Sequence, residues 1–268
     1  MNLRICFSKF GRLRFLGHLD VMRFFQRAIT RGGVPVAYSA GFHPHMIMSF
    51  AQPLALSVTS DGEYFDIECG VDSVDPDDIL ARLRGAMCDG LDVRSVTILP
   101  EREPNTKKQT GMSQIAGAMY LLTSDAENGA KFAEAVRKLA EASSVLVEKE
   151  GKSGVRDVDI RKGIHALAIL NEGGTLEYLS NDGMFDCPPD LTGGFGRERS
   201  AHAPERPCGS VTILAAVDAG SENNISVELL TEALRKCGEL PDGRFLNAHR
   251  MELFGRREDH MVSLALMR

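Results

Sequence analysis

Residues 2–33 decide the fold: NLRICFSKFGRLRFLGHLDVMRFFQRAITRGG. In residues 2–8 apolar side chains alternate with Asn, Arg and Cys, which is the period of a half-buried strand. From His18 to Arg31 the apolar positions recur at helical spacing, while arginines climb the opposite side of the same helix. Gly32-Gly33 then ends the helix. This stretch therefore predicts a strand followed by an amphipathic helix with a basic outer face.

The pattern continues outward to residue 100. Extended segments are predicted at residues 34–38 and 46–50, strands at 63–68 and 91–99, and a second helix at 75–88 that Asp75 caps. Strand, helix, strand, strand, helix, strand is the order of a ferredoxin-like unit with an antiparallel sheet. Residues 101–115 are polar and poor in large apolar groups, so we place a linker there.

The rest of the chain repeats these kinds of element in a similar order. Strands are predicted at 118–123, 145–149, 164–169, 175–179, 211–217 and 248–254, and helices at 128–142 and 227–237. A segment rich in Gly, Pro and Arg at about 184–207 reads as a long surface loop. We therefore expect an α+β protein of two tandem ferredoxin-like (βαββαβ) modules with antiparallel sheets, at 1–100 and 116–268.

Composition excludes several classes of protein. The 268 residues are 43% hydrophobic and 25% charged, which lacks the bias that keeps a chain disordered. Basic residues interrupt the N-terminal apolar residues, and no apolar run approaches the roughly 20 residues that span a bilayer. The sequence predicts a cytoplasmic protein that does not associate with membranes.

Six cysteines are scattered singly, at positions 6, 69, 88, 187, 208 and 237. No CxxC or other short spacing organises them for a metal ion or an iron–sulfur cluster. We expect most of them to be small core residues and predict no cofactor.

Charge is distributed very unevenly along the chain. The net charge is −6, but residues 1–50 hold seven basic groups against one acid, Asp20, which gives this stretch a charge of +6. The remaining residues carry −12. An anionic partner is therefore expected to bind the N-terminal part, where guanidinium groups four residues apart suit successive phosphates.

The candidate ligand- or RNA-binding residues follow from this charge and from the GFHPH loop at residues 41–45. Asp20 is assigned a structural role, either as a helix cap or in a pair with Arg23. The predicted binding residues are Lys9, Arg12, Arg14, Arg23, Arg27, Arg31, Tyr38, His43, His45 and Ser49. Two histidines alone do not define a metal site, so none is predicted.

Three functions remain open on the residues alone. The first is a non-catalytic RNA- or partner-binding module, for which no catalytic residue is assigned. The second is a metal-independent RNA processing endonuclease that uses His18 or His43 as general base, with arginine stabilising the phosphorane. The third is a purely protein-binding scaffold that uses the acidic second module. No nucleophile elbow, phosphate-binding loop or dinucleotide fingerprint is present in the sequence.

Four motifs resemble a known family. They are FSKFG at residues 7–11, FLGHLD at 15–20, YSAGFHPH at 38–45 and EYFD at 63–66. The chain is similar in these motifs to the bacterial radical-SAM-linked family, a domain of unknown function found fused to or encoded beside radical SAM proteins. The resemblance covers residues 1–100, then thins to residues 158–161 and to His249-Arg250.

This resemblance implies a radical SAM protein as partner and supplies no activity. Iron–sulfur and SAM binding would belong to that partner. Relatives often carry Arg-Pro before the last helix, where this chain has Ser226-Val227. Together with the basic surface, the resemblance leads us to expect an accessory protein that helps a radical SAM enzyme in RNA or ribosome modification.

Overall fold

The structure is a computed structural model that describes residues 1–100, 110–151, 154–171, 174–187, 206–221, 223–242 and 245–267. Within these ranges it contains twelve strands and five α-helices. The strands are β1 Asn2–Lys9, β2 Met48–Phe50, β3 Thr59–Glu68, β4 Leu91–Leu99, β5 Ile115–Ser124, β6 Leu146–Gly151, β7 Gly154–Asp159, β8 Ile164–Leu170, β9 Leu176–Asn181, β10 Thr212–Asp218, β11 Leu246–Arg257 and β12 His260–Ser263. The helices are α1 His18–Arg31, α2 Pro76–Gly85, α3 Gly111–Gln114, α4 Gly129–Glu141 and α5 Val227–Cys237.

Among the helices that the structure describes, α1, α2, α4 and α5 form where the local sequence predicts them, whereas α3 lies within the predicted linker. The bounds of α1 and α5 agree with the predicted ones, and α1 buries Val21, Phe25 and Ile29 on its apolar face. Helix α2 begins at Pro76, and the Asp75 carboxylate accepts a hydrogen bond of 3.0 Å from the backbone N–H of Asp77. That bond satisfies one of the free amides of the first turn.

Ten strands form one sheet in the order β4-β1-β3-β11-β5-β10-β8-β9, with β2 also paired to β3 and β12 to β11. Strands β6 and β7 form a separate hairpin. All the pairings are antiparallel except β3 with β11, which is a parallel pairing of two residues, Thr59 with His249 and Ser60 with Arg250. The predicted α+β class and antiparallel sheet are confirmed. Two tandem modules stay a prediction, because one sheet continues through both halves.

Three apolar clusters stabilise the sheet. In the N-terminal half, α1 and α2 pack on Leu3, Phe7 and Phe65. In the C-terminal half, α4 and α5 pack on the surface that holds Tyr120 and Ile213. A third cluster joins Phe185, Phe254 and Met261 to β8 and β10. Apolar burial on this scale is the main driving force for folding.

The C-terminal residues pack against β1 through hydrogen bonds from the Arg4 side chain. Arg4 is 2% exposed, and its guanidinium forms a bidentate ion pair with the Asp66 carboxylate, through hydrogen bonds of 2.8 Å and 3.0 Å. It also donates to Gln114 at 2.7 Å and to the backbone carbonyl of Leu264 at 3.1 Å. Helix α3, which lies within the predicted linker, is therefore tied to β1 and β3.

Some predicted features fall outside the described residues. They are the first part of the linker, residues 101–109, and most of the long loop, residues 188–205. Among the helices that the structure describes, none is long and apolar enough to cross a membrane. Cys6 and Cys69 are buried in the apolar clusters, Cys187 and Cys237 are partly buried against them, and Cys88 and Cys208 are exposed, so four of the six predicted core cysteines contribute to the core.

Candidate functional site

The outer face of α1 carries an exposed strip that combines apolar and basic side chains. Leu19, Arg23 and Arg27 recur every four residues, so they share one face, and we name them the outer strip. Leu19 is 59% exposed and Phe15, at the end of the preceding 3-10 helix, is 56% exposed. Arg23 pairs with Asp20 at 3.2 Å, with both side chains more than half exposed. The predicted structural role of Asp20 is thus a surface ion pair, which holds Arg23 only weakly.

The remaining arginines of this region are not equally free. Arg12 is exposed, whereas Arg14 is half-buried with its guanidinium 4.8 Å from the Phe15 ring centre. Arg31 donates a 2.8 Å hydrogen bond to the Ala86 carbonyl. The exposed basic groups of the helix and its approach are therefore Arg12, Arg23, Arg27 and Arg31, of which Arg31 is tethered to the Ala86 carbonyl.

The GFHPH loop is held in shape by its ends. Tyr38 pairs with Met46, and the Ser39 hydroxyl lies 2.8 Å from His45 Nδ1 and accepts from the His45 backbone N–H at 3.1 Å. The loop presents Tyr38, His43 and a fully exposed Phe42 to solvent. Ser49 lies apart from the loop tip, on β2 opposite Asp66.

The loop and the start of α1 lie at opposite ends of β1. Val36, which precedes the loop, forms a β-bridge with Cys69. The Cys69 N–H donates to the carbonyl of Met1, so the loop lies near the first residue of β1. His18 instead lies beside Lys9, the last residue of β1. Eight residues of strand span roughly 25 Å. His18 and His43 are therefore not brought together, and neither are His18 and His45.

A buried polar seam joins the two halves where β3 meets β11. We define the seam as Asp61, Glu63 and Tyr64 of β3 with His249, Arg250 and Glu252 of β11. Arg250 bonds both oxygens of Glu63, at 2.7 Å and 2.5 Å. Tyr64 donates to Glu252 at 2.5 Å, and His249 Nε2 lies 3.2 Å from Asp61. All six seam residues are below 9% exposed.

The seam needs a close approach of two backbones at Gly62. A Cβ atom at this position would lie 2.6 Å from the Met251 carbonyl oxygen and 2.7 Å from the Glu252 Cα. Both neighbours are backbone atoms of β11, so no change of side-chain rotamer could relieve the clash. Glycine at this position therefore sets how closely β3 and β11 approach.

A small pocket opens beside the seam at the start of α1. We name it the seam pocket. Its polar lining is Lys9, His18, Gln52 and Glu63, and its apolar lining is Phe7, Val21, Phe50 and Leu54. The Lys9 ammonium donates to the Leu16 carbonyl at 2.7 Å. The His18 ring packs edge-on to Phe50 with ring centres 5.2 Å apart.

Burial governs the titration of the two bases in the seam pocket. It lowers the pKa of Lys9, an effect that Glu63 opposes and Arg250 reinforces. It also lowers the pKa of His18, again opposed by Glu63, so this imidazole is neutral at pH 7. Arg250 is fully buried, yet its pKa is raised because Glu63 and Tyr120 outweigh the effect of burial.

A second histidine site lies in the C-terminal half. His165 Nδ1 is 2.7 Å from Asp182, and its Nε2 is 2.8 Å from Asp218. Asp218 also accepts from Asn223 at 2.8 Å. Within the described part of the chain, no group of three His, Cys, Asp or Glu residues is placed to hold a metal ion. The two carboxylates therefore act as hydrogen-bond partners of His165.

Sequence reasoning missed the seam almost entirely. It noted His249-Arg250 only as a late remnant of the family resemblance and Glu63 only as part of a motif. The available signal was the charge content of β3, TSDGEYFDIE, in which nine of ten residues are buried. Charges on a strand without an exposed face require partners from elsewhere in the chain.

The fold and the site define a mixed α+β protein in which one large sheet is crossed by a buried polar seam. The chain belongs to the family described as uncharacterized protein conserved in bacteria (DUF2344), whose model matches residues 2–187. This match includes β1, β3 and the seam pocket but ends before β11. A comparison with curated proteins found no match.

Proposed function

We propose that this protein binds RNA and acts as a non-catalytic accessory to a radical SAM enzyme, in RNA or ribosome modification. The observation that carries the RNA-binding part is the outer strip with the neighbouring Phe15. Arg23 and Arg27 are exposed cations one helical turn apart, and Phe15 is an exposed aromatic ring.

These groups match the two interactions that dominate the binding of single-stranded RNA. Phosphates attract guanidinium groups, and unpaired bases stack on exposed aromatic rings for about 1–3 kcal/mol each. RNA loops, whose bases are unstacked, are the form of RNA that such a surface recognises.

The radical SAM partner rests on the motifs of residues 7–66. All six cysteines belong to the described residues and are free, and their spacing suits no cluster. Iron–sulfur and SAM chemistry would therefore reside in the partner. The accessory protein would contribute RNA affinity and orientation.

The experiment for RNA binding is a filter-binding titration with bulk tRNA and rRNA fragments over a range of salt concentrations. We expect affinity to fall steeply with salt, and the double substitution Arg23→Gln/Arg27→Gln to reduce the log–log slope by about 1.4, close to 0.7 per phosphate contact of a single strand. Phe15→Ala should weaken binding about tenfold without changing the slope.

The matched control removes two exposed cations from α4, Lys131→Gln/Arg137→Gln. This variant has the same net charge as the α1 double variant, so a general charge effect would weaken both equally. Equal loss in the two variants, or an affinity that does not depend on salt, contradicts the proposal.

The partner is tested by affinity purification from the native cell after nuclease treatment, followed by mass spectrometry. Recovery of a radical SAM protein supports the accessory role. Recovery of other proteins in its place favours the scaffold alternative.

A second candidate function is metal-independent RNA cleavage with His18 as general base. It is favoured by the seam pocket, where a neutral, half-buried imidazole lies beside the Lys9 ammonium, which would stabilise a phosphorane. Labelled RNA incubated in EDTA decides it. Cleavage that persists and is lost in His18→Ala supports the nuclease, whereas cleavage lost only in His43→Ala excludes His18.

We also propose that each half has the ferredoxin-like arrangement. In the N-terminal half the strands lie in the order β4-β1-β3-β2, all antiparallel. In the C-terminal half β11-β5-β10-β8 repeats this fourth, first, third, second order, with α4 and α5 in the helix positions. Strands β6, β7 and β9 would be additions to the second unit.

A further inference from the structure

The tip of the GFHPH loop presents an aromatic ring that the rest of the described structure leaves uncovered. Phe42 is 102% exposed, and Tyr38, which enters the loop, is 53% exposed. From Gly32 to Ser60 the chain contains no Asp, Glu, Lys or Arg. The segment that carries these two rings therefore holds no carboxylate that would repel a phosphate.

Hydrogen bonds across its stem hold the loop in one conformation. The Ser39 N–H donates to the His45 carbonyl at 2.9 Å, and the Ser39 hydroxyl accepts from the His45 N–H at 3.1 Å. Below them, the Ile47 N–H donates to the Ala37 carbonyl at 2.9 Å. Binding through Phe42 therefore needs little further ordering of the backbone, which lowers the entropic cost of the contact.

The loop follows the C-terminal end of α1, so exposed rings lie at both ends of this helix. Phe15 precedes the first turn of α1, and Tyr38 comes seven positions after Arg31, the last residue of the helix. The 14 residues of α1 extend over roughly 21 Å at about 1.5 Å per residue. Between the two aromatic ends, the outer face of the helix carries Arg23 and Arg27.

We propose that the outer strip and the GFHPH loop bind one continuous strand of unpaired RNA, with a base stacked on Phe15 near one end and a base stacked on Phe42 near the other. Arg23 and Arg27 would contact the phosphates between them. At a stacked spacing of about 3.4 Å per nucleotide, the length of α1 corresponds to roughly six nucleotides. This inference rests on the proposed RNA binding and adds to it a second stacking contact and a minimum length of strand.

Continuity with the outer strip favours RNA over a protein as the partner of the loop. Base stacking needs only the face of an exposed ring, so it does not require a charge on the loop itself. The attraction of phosphates is supplied by the arginines of α1. The uncharged loop and the basic helix therefore match the base and the phosphate parts of the same strand.

The experiment measures the affinity of the full chain for a labelled uridylate trimer and a labelled uridylate dodecamer by fluorescence anisotropy. We expect Phe42→Ala to weaken binding of the dodecamer about tenfold, because one stacked base is lost. Binding of the trimer should not change, because a trimer held by the arginines is too short to reach the loop. The salt dependence of dodecamer binding should also stay the same, since no charge is removed.

Three further variants separate stacking from general apolar contact. Phe42→Trp keeps an aromatic face and should bind the dodecamer as tightly as the natural chain, whereas Phe42→Leu should lose as much affinity as Phe42→Ala. The matched control is Val155→Ala, which truncates an apolar side chain that is 64% exposed in the C-terminal half and should have no effect.

Three results would overturn the proposal. Unchanged dodecamer affinity in Phe42→Ala would leave the loop to a contact with protein. Full affinity in Phe42→Leu would exclude stacking. Equal losses for trimer and dodecamer in Phe42→Ala would make the loop a separate site rather than the end of a continuous one.

Failure of this inference is distinguishable from failure of RNA binding by the outer strip. If Arg23→Gln/Arg27→Gln weakens dodecamer binding and Phe42→Ala does not, the assignment of the loop alone is wrong. If Phe42→Ala weakens it and the arginine substitutions do not, the loop binds RNA, but the outer strip and the continuous strand are wrong. A natural chain that does not bind the dodecamer contradicts both.

Discussion

At the scale of single residues, Arg250 has the most demanding environment. It is 1% exposed and lies 187 positions away in sequence from its partner Glu63. The buried charges of Arg250 and Glu63 are tolerated because the guanidinium donates to both carboxylate oxygens. Removing either residue leaves the charge of the other buried without a partner. The pair therefore matters more for the integrity of the seam than for net stability.

Replacing Arg250 with Met should destabilise the protein by about 3–5 kcal/mol, because Glu63 then remains buried without its partner. The measurement is the free energy of unfolding by urea denaturation. Arg23→Met is the control, since it removes an exposed ion pair that contributes less than about 1 kcal/mol. A loss of the same size in both variants would show that the Arg250–Glu63 pair has no special role.

His165 gives a pH-dependent contribution with a defined sign. Burial alone would lower its pKa, but hydrogen bonds and charges from Asp218 and Asp182 outweigh burial and raise the pKa above its ordinary 6.5. The protonated form is therefore favoured by the fold. The contribution of the protonated His165 to the free energy of unfolding is fully present below pH 6.5 and is lost as the pH rises through the folded-state pKa.

We expect the difference in unfolding free energy between the natural chain and His165→Asn to shrink as the pH rises above 6.5. Chemical denaturation at several pH values measures it. A difference that stays constant or grows with pH would show that the imidazolium is not the stabilised form.

At the scale of elements, termini are determined by local chemistry. Helix α2 begins at Pro76 because Asp75 adopts an extended conformation and its carboxylate bonds the Asp77 N–H. Helix α5 begins in the same way, with the Ser226 hydroxyl accepting from Leu229. Such caps need only residues adjacent in sequence, so sequence alone locates them.

Substitution of Asp75 by Ala should cost about 1 kcal/mol, because the first turn of α2 loses its cap. Thermal or urea unfolding detects this change. Asp72→Ala removes an equally exposed carboxylate outside the helix and should have little effect. Comparable losses in the two variants would point to general charge effects rather than capping.

At the scale of the whole molecule, the two halves share one sheet through a short connection. The β3–β11 pairing has two residue pairs, and the seam adds side-chain bonds that cross it. A short ladder reinforced by buried ionic contacts couples the halves, because opening it would break the hydrogen-bonded charge pairs of the seam together with the ladder.

Native-state hydrogen exchange should therefore give similar opening free energies for the amides of Ile5 in β1 and Leu214 in β10, within about 1 kcal/mol. In Arg250→Met the two values should separate. A large difference already in the natural chain would indicate that the halves open independently, as expected of two autonomous modules.

By itself, the sequence determined most of the elements, the Asp75 cap of α2 and the exposed strip on α1. Apolar periodicity specifies a helix or strand locally, as it does for α1, β4 and α5, and an arginine every fourth residue lies on the outer face of a helix whatever the rest of the fold does. The motif residues Lys9, His18 and Glu63 were also recognisable, but not their common pocket.

Only the tertiary structure decided that Lys9 faces inward, that His18 and His43 lie apart, and that β11 completes a seam with β3. These outcomes depend on contacts between residues up to 190 positions apart, such as His249 with Thr59. A strand pattern fixes which side chains share a face, but not which strand will lie next to it. That choice is made by the packing of the whole sheet, and it places the Lys9 ammonium at the junction of the two halves, where it donates to the Leu16 carbonyl.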